Sequence, residues 1–254
     1  MQITDKKYFD QYYEQIGHRI QNLISKFDFS DHSIDLDYST QASTVYSSNI
    51  EGNSIDLNSY MNYQLSKEKF KPIKEIDEIE NLVAAYKLAQ SSSLTEANFL
   101  ACHKIFSETL LLKSKRGKYR SEQVAVFGQR GLVYLAIEPE FVPETMKTFF
   151  QDIESLLKQD TSVAEAFYFA SLVHLKFAHI HPFMDGNGRA ARLVEKWFLS
   201  EKIGKHLWKI PSEKYYWDHC DEYYANINLG VNYYELNYDL CLPFLAMLPN
   251  SLKN

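Results

Sequence analysis

The chain of 254 residues contains no run of 18 apolar residues, and its first ten, MQITDKKYFD, hold no apolar leader core. Both absences argue against a membrane span and a secretory signal, so the expectation is a soluble cytoplasmic protein with no membrane partner. Cysteine is nearly missing too. Cys102, Cys220 and Cys241 are odd in number and far apart, which excludes a disulfide framework and a zinc-binding spacing; they read as reduced core thiols. An excess of positive charge is also lacking: 27 Lys and Arg face 33 Asp and Glu, a net charge of −6. A nucleic-acid binder held by phosphate contacts would show the opposite balance, so no nucleic-acid partner is expected. Glycine is scarce, with 9 in the whole chain, so a local cluster of it carries information.

Aromatic residues are abundant instead: 18 Tyr, 16 Phe and 3 Trp. Most are expected in the core and at helix contacts, because aromatic rings dominate buried area. One stretch runs against the acidic balance. Lys113, Lys115, Arg116, Lys118 and Arg120 crowd together and read either as a solvated basic loop or as an anion-steering patch.

Helical periodicity governs most of the chain. Residues 7–27 carry Phe9, Tyr12, Tyr13, Ile16, Ile20, Leu23 and Ile24 at helical spacing. A second helix is expected from about Tyr38 to Ile50, stopped at Glu51-Gly52-Asn53, where Gly52 suits a left-handed cap. Ile76–Leu88 and Phe99–Leu112 read as further helices, with Thr95 as an N-cap and Glu96 in the first turn behind it. The period then changes. Gln123-Val-Ala-Val-Phe-Gly and Leu132-Val-Tyr-Leu-Ala-Ile, joined by Gln129-Arg-Gly, predict a hairpin of about six residues per arm. Such a hairpin is marginal alone and must lie on the helices or act as a flap. Helix resumes over 144–158. Residues 163–180 are apolar on nearly every face and predict a central buried helix. A helix over 188–202 and two more near 212–228 and 234–249 complete an all-α helical bundle with a small β-hairpin flap.

Between the buried helix and its successor stands His181-Pro-Phe-Met-Asp-Gly-Asn-Gly-Arg-Ala-Ala-Arg192. Pro182 disfavours helical torsions at His181, so the buried helix should end there. Gly186 and Gly188 let the backbone approach a ligand closely, and a tight turn into a helix N-terminus aims free N–H groups at one point. Arg189 and Arg192 fall in the first turn of that helix, where cations oppose its dipole. They make sense there if an anion occupies the site, and a phosphate chain fits. Asp185 is a hard oxygen ligand suited to Mg²⁺ shared with phosphates. His181, with an ordinary pKa near 6.5, is the candidate general base. Taken singly, these residues could be a helix cap and a buried histidine; together they point to a site. His174 and His179 lie five apart on different sides of a helix, which disfavours a zinc centre with His181.

These twelve residues match His-x-Phe-x-Asp/Glu-Gly-Asn-Gly-Arg-x-x-Arg at every specified position, and the chain thereby resembles the Fic (Fido) family of protein adenylyltransferases. The likeness runs over about 96–247, including a flap entered by Arg116-Gly-Lys-Tyr-Arg120. It implies a Fic domain over 96–247, preceded by an N-terminal helical region, 1–95. Val124-Ala-Val126-Phe-Gly departs from the paired glycines usual at the family's flap turn.

The resemblance implies that His181 takes the proton from a Ser, Thr or Tyr hydroxyl of a target protein. Asp185 would place Mg²⁺ on the phosphates of ATP. Asn187 and the Gly186 and Gly188 amides would hold the phosphate chain with Arg189, and Arg192 would pair with the γ-phosphate. Tyr223 and Tyr224 sit where adenosine-side tyrosines fall in the family, and Tyr224 is taken as nucleotide-binding. Upstream, Ser47-Ser-Asn-Ile-Glu51-Gly52 fits the family's inhibitory pattern, on a helix of about 38–52. Glu51, at a helix C-terminus, and Arg192, at a helix N-terminus, are each misplaced against a dipole and would relieve one another, in a pair that can be bidentate. The expectation is an Mg²⁺-dependent transferase of AMP, auto-inhibited by Glu51 with Ser47. The reverse reaction, removal of AMP from a modified protein, and transfer of UMP or phosphocholine remain open, as do the target and a homodimeric state. The residues after 250 are too few for the DNA-binding appendage that some relatives carry.

Overall fold

The computed structural model describes residues 2–27, 36–66, 73–128 and 131–253. Helices α1 (Phe9–Tyr12) and α2 (His18–Lys26) are joined through a π-turn at Tyr13–Gly17, so the expected first helix is continuous but locally widened. Next come α3 (Leu36–Ile50), α4 (Leu57–Leu65), α5 (Lys74–Gln90) and α6 (Glu96–Phe106). Strands β1 (Ala125–Gly128) and β2 (Gly131–Leu135) form the hairpin. They are followed by α7 (Val142–Lys158), α8 (Val163–Ile180) and α9 (Asn187–Ile203). The chain closes with α10 (Ser212–Asp218), α11 (Cys220–Ile227), α12 (Leu242–Leu245) and α13 (Met247–Asn250).

Helix α8 is the axis of the core. A capping box starts it: Ser162 accepts from the Glu165 amide, and the Glu165 carboxylate accepts from the Ser162 amide. Its side chains are buried around the whole circumference, as an all-apolar helix requires. It ends at Ile180. His181 follows with φ +52°, the one non-glycine residue among those described with positive φ. Pro182 explains the departure from helix, and a left-handed histidine is the kind of strained residue that sites retain.

Helix α3 is unusual in what it buries. Ser39, Thr40, Ser43, Thr44, Ser47, Ser48 and Asn49 are all at most 7% accessible. Most buried hydroxyls find partners, although Ser48 Oγ has none among the described residues. Thr40 and Thr44 turn back to carbonyls of their own helix. Ser43 and Ser47 instead receive Lys196 Nζ (2.8 Å) and Arg192 Nε (2.9 Å) of α9.

The hairpin pairs Ala125 with Leu135, Val126 with Tyr134, Phe127 with Leu132 and Gly128 with Gly131, with a bulge between Val126 and Phe127. Its arms are shorter than the six residues expected. It lies on the end of α8, where the Tyr134 hydroxyl donates to the His179 carbonyl at 2.6 Å. Leu135 N–H donates to Val231 O, which covers the outer edge of β2.

Three expectations are corrected. The helix expected over 99–112 ends at Phe106, and the chain coils in turns so that Gly117 (φ +65°) can settle against α6. A Cβ at Gly117 would stand 2.8 Å from Leu100 O. The helix expected over 212–228 breaks at His219, and that over 234–249 is a string of short helices and 3₁₀ turns. Pro243 and Pro249 withhold N–H groups there. Helix α4 was not expected; Asp56 caps it through the Ser59 amide.

Candidate active site

The loop between α8 and α9 is fastened from several sides. Asn187 binds Phe183 twice, its Oδ1 accepting from Phe183 N–H (2.8 Å) and its Nδ2 donating to Phe183 O (2.9 Å). Its side chain thus braces the loop. Gly186 has φ +81°, and a Cβ there would meet Phe106 at 2.7 Å. His103 stacks on Phe183 with ring centroids 3.5 Å apart. Its Nδ1 accepts from Gly117 N–H at 2.9 Å, and its Nε2 donates to Asp185 O at 3.2 Å.

Arg120 completes the fastening. It is 3% accessible, and its Nε donates to His181 O at 2.8 Å and its main-chain N–H to Pro182 O at 2.9 Å. It also reaches the carbonyls of Glu122 and Ile137. The basic cluster is therefore neither a solvated loop nor a steering patch throughout. Arg120 is an internal clamp, while Lys115 and Arg116 pair with Glu122 and Glu108.

His181 Nδ1 donates to Ala178 O at 3.2 Å, which leaves Nε2 with its lone pair. Burial lowers its pKa below 6.5 and outweighs the Ala178 carbonyl, and the Arg120 charge lowers it further. The imidazole is thus neutral at physiological pH, the form a general base needs. Asp185 is exposed on the loop, one oxygen accepting from Gly186 N–H at 2.6 Å.

Both first-turn arginines of α9 carry a carboxylate partner. Arg189 meets Glu78 of α5 at 3.1 Å, and its Nε is buried with no partner. Arg192, 1% accessible, donates to Ser47 Oγ (2.9 Å), Ser47 O (2.9 Å), Glu51 Oε1 (2.7 Å) and Tyr223 Oη (3.1 Å). Glu51 receives one of these bonds, so the pair is joined by a single hydrogen bond and not in the bidentate form open to it. Burial acts to raise the Glu51 carboxyl, but Arg192 and Arg189 outweigh it and hold it below its usual range. Burial likewise works against the Arg192 charge, and Tyr223 and Glu51 more than restore it.

Gly188 shows how close the Glu51 carboxylate comes. A Cβ at that position would lie 2.1 Å from Glu51 Oε1 and 3.2 Å from Arg192 Nη1. The carboxylate therefore rests on the first turn of α9. Ser43 with Lys196, Ser47 with Arg192 and Glu51 over Gly188 form a ladder stepping four residues at a time along both helices.

Glu51, His181, Asn187, Gly188 and Tyr224 line one cavity of about 320 Å³, roofed by Val126 and Val133 of the hairpin. Tyr224 is half exposed, and its hydroxyl donates to Ile50 O at 3.0 Å. Tyr223 lies beneath, 2% accessible. His174 and His179 are spent elsewhere. His174 meets Glu195 and Tyr223, while His179 donates to Ile227 O and accepts from Tyr238. Neither has a nitrogen left for a metal. Glu78, His103 and Arg120 were not foreseen as parts of the site. Glu78 is one of several acidic residues on α5 and His103 one of several polar residues on α6, and the motif gives no hint of them.

Residues 93–199 match the Fic/DOC family. The chain carries a Fic domain. Over 162 residues it is 33% identical to a protein adenylyltransferase Fic of Nematostella vectensis, covering 59% of this chain and 35% of that protein. Over 134 residues it is 28% identical to protein adenylyltransferase fic-1 of Caenorhabditis elegans, covering 49% and 24%. The chain thus spans about a third or less of the length of these curated relatives. A Fic family protein from Desulfovibrio desulfuricans G20 superposes with a TM-score of 0.79 at 22% identity, covering 95% of this chain and 73% of that one. A Fic-domain signalling protein from Bacteroides thetaiotaomicron VPI-5482 gives 0.65 at 19%, covering 97% and 94%. These two share the Fic fold, the mostly helical bundle with its small hairpin. No helix among the described residues is long and apolar enough to cross a membrane.

The buried histidines of this Fic domain make its stability sensitive to mild acid. Burial pushes both His103 and His179 down to about 4. The unfolded chain takes up protons near 6.5 while the folded state does not until about 4. Stability is therefore full above 6.5 and falls with pH down to about 4. Each histidine is expected to cost about 2 kcal/mol between pH 7 and 5, above the range where carboxylates titrate. Urea titrations at the two pH values check this, and equal unfolding free energies would contradict it.

Proposed function

We propose that the chain transfers AMP from ATP to a hydroxyl of a target protein and is held back by its own Glu51. The observation that carries the reading is the seat of that carboxylate. It lies over Gly188 and against Arg192 at the N-terminus of α9, so the cradle already holds an anion. The unpartnered Nε of Arg189 is a further donor awaiting one. A triphosphate has the charge and the oxygens to take this place.

In that reading the hydroxyl oxygen attacks the α-phosphorus as the bond to pyrophosphate breaks. The Nε2 of His181 accepts the hydroxyl proton. The α9 amides and Arg189 hold the phosphates, Arg192 takes the γ-phosphate, and Tyr224 flanks the nucleoside. Orientation and fixed charge supply most of the rate. Since Val231 covers β2, a target strand would add along β1, presenting its hydroxyl to the cavity. Asp185 is an exposed carboxylate on the loop, a hard donor that fits Mg²⁺. The ion would neutralise charge on the phosphates and the leaving group. Glu51 acts by keeping Arg192 from the γ-phosphate, with Ser47 as the second tie on the same guanidinium.

Incubating Glu51→Gly with α-labelled ATP, GTP, UTP and CTP in host lysate tests the reading. Label transferred from ATP to protein supports it; transfer from another nucleotide alone would replace it. Asp185→Ala is expected to weaken the Mg²⁺ dependence of turnover by at least about tenfold, with little change in melting temperature. An unaltered Mg²⁺ titration in that variant would remove Asp185 from the metal site.

A further inference from the structure

Three of the four bonds made by Arg192 go to α3 and the residue that follows it, two to Ser47 and one to Glu51. The fourth goes to Tyr223 of α11, and a chain of buried groups stands behind it. Tyr223 Oη lies 3.0 Å from His174 Nε2, and His174 Nδ1 lies 2.8 Å from Glu195 Oε2. Arg192, Tyr223, His174 and Glu195 are 1%, 2%, 0% and 0% accessible. Tyr216 Oη braces the far end at 2.9 Å from both Glu195 oxygens.

The donors and acceptors admit one direction. A guanidinium only donates, so Tyr223 accepts there and gives its own proton to His174 Nε2. His174 then carries its proton on Nδ1 and donates to Glu195, which as a carboxylate only accepts. This tautomer follows from the partners, and it satisfies every atom of the row. Each donation polarises the next, so the buried carboxylate makes Tyr223 a stronger acceptor for Arg192. Among the described residues Glu195 has no Lys or Arg in ion-pair contact. Arg192, two groups away, is the cation the row leads to.

We propose that Glu195, His174 and Tyr223 are positioning residues that hold Arg192 in place for the terminal phosphate when Glu51 withdraws. The role rests on the AMP-transfer reading. Its physical content is that Arg192 keeps a fixed partner outside α3. Without that partner, Glu51 release would free the guanidinium to follow the inhibitory helix, and the phosphate would lose its ligand.

The test uses the full chain carrying Glu51→Gly, with and without Tyr223→Phe, which removes one oxygen and keeps the ring. Nitrogen-15 NMR of the arginine side chains should show a slowly exchanging Arg192 Nη1 proton in Glu51→Gly that is lost when Tyr223→Phe is added, while the Nε proton held by Ser47 stays protected. Calorimetry should show ATP binding weakened about tenfold by Tyr223→Phe, with AMP binding changed less than about twofold. Glu195→Gln, which leaves the cavity untouched, should move both readouts in the same direction, and it carries the test should Tyr223→Phe not fold. An unchanged Arg192 signal in these variants overturns the proposal. So does an equal loss of ATP and AMP affinity, which would confine Tyr223 to shaping the nucleoside end. A Glu51→Gly protein that shows the expected NMR behaviour but binds no ATP would leave the positioning row standing and refute the functional reading instead.

Discussion

Replacing Glu51 by glycine is expected to raise AMP transfer to target or self by at least about tenfold, equivalent to roughly 1.4 kcal/mol of barrier. The structure supplies the reason in two contacts of one carboxylate. Glu51 takes a donor of Arg192 at 2.7 Å and its Oε1 sits 2.1 Å from where a Cβ of Gly188 would be. Removing it frees both the arginine and the space over the first turn of α9. The fold should persist, because Arg192 keeps Ser47 and Tyr223 as acceptors. A loss of about 1–2 kcal/mol of stability is expected, less than for a fully buried pair because the Glu51 side chain is 28% accessible. Arg192→Ala should remain inactive with or without Glu51, since one guanidinium serves both states. Equal rates for wild type and Glu51→Gly would remove Glu51 from regulation. The reverse reaction gives a different signature: the same substitution would abolish release of AMP from a pre-modified target.

The second large effect belongs to His181. His181→Ala should lower transfer by about 10²–10⁴-fold, the range that a positioned general base contributes. ATP affinity should be nearly unchanged, because the phosphate donors lie on α9. The acid limb of the rate profile in the parent enzyme should fall below pH 6.5, as burial lowers this imidazole. Rates within a few-fold of the parent would take the proton transfer away from His181. The left-handed backbone at this position (φ +52°) is costly for alanine too. Comparison of circular dichroism spectra therefore separates a lost base from a lost loop.

Much of this site could be read from the chain because its information is local. The turn of Gly186 and Gly188, the proline after His181 and two arginines in a first helical turn all act within twelve residues. The all-round apolarity of 163–180 likewise marked a central helix without tertiary knowledge. Glu51 was legible by a different route, as part of a short upstream pattern and as a charge set against a helix dipole, and the structure joins it to one of the two first-turn arginines with the complementary misfit. What stayed hidden depends on contacts distant in sequence. Arg120 looked like one of five basic residues, yet it is the buried clamp on His181 O and Pro182 O. Nothing within ten residues of His103 shows that it stacks on Phe183 and ties Gly117 to Asp185. The hydroxyl-rich face of α3 would be taken for a solvent face by pattern alone. It is buried because Lys196 and Arg192 of α9 supply its donors. The helix expected over 234–249 broke where periodicity continued, since periodicity does not register the N–H groups that Pro243 and Pro249 lack.

The central claim, transfer of AMP with loss of pyrophosphate, is tested most directly by label position. Glu51→Gly protein is incubated with Mg²⁺ and ATP labelled either at the α- or at the γ-phosphate, and covalent label on protein is counted. The account predicts label from α-labelled ATP and none from γ-labelled ATP, with His181→Ala abolishing the signal. Label from the γ position would mean phosphoryl transfer, and no label from either would mean that the cradle of α9 does not serve this chemistry.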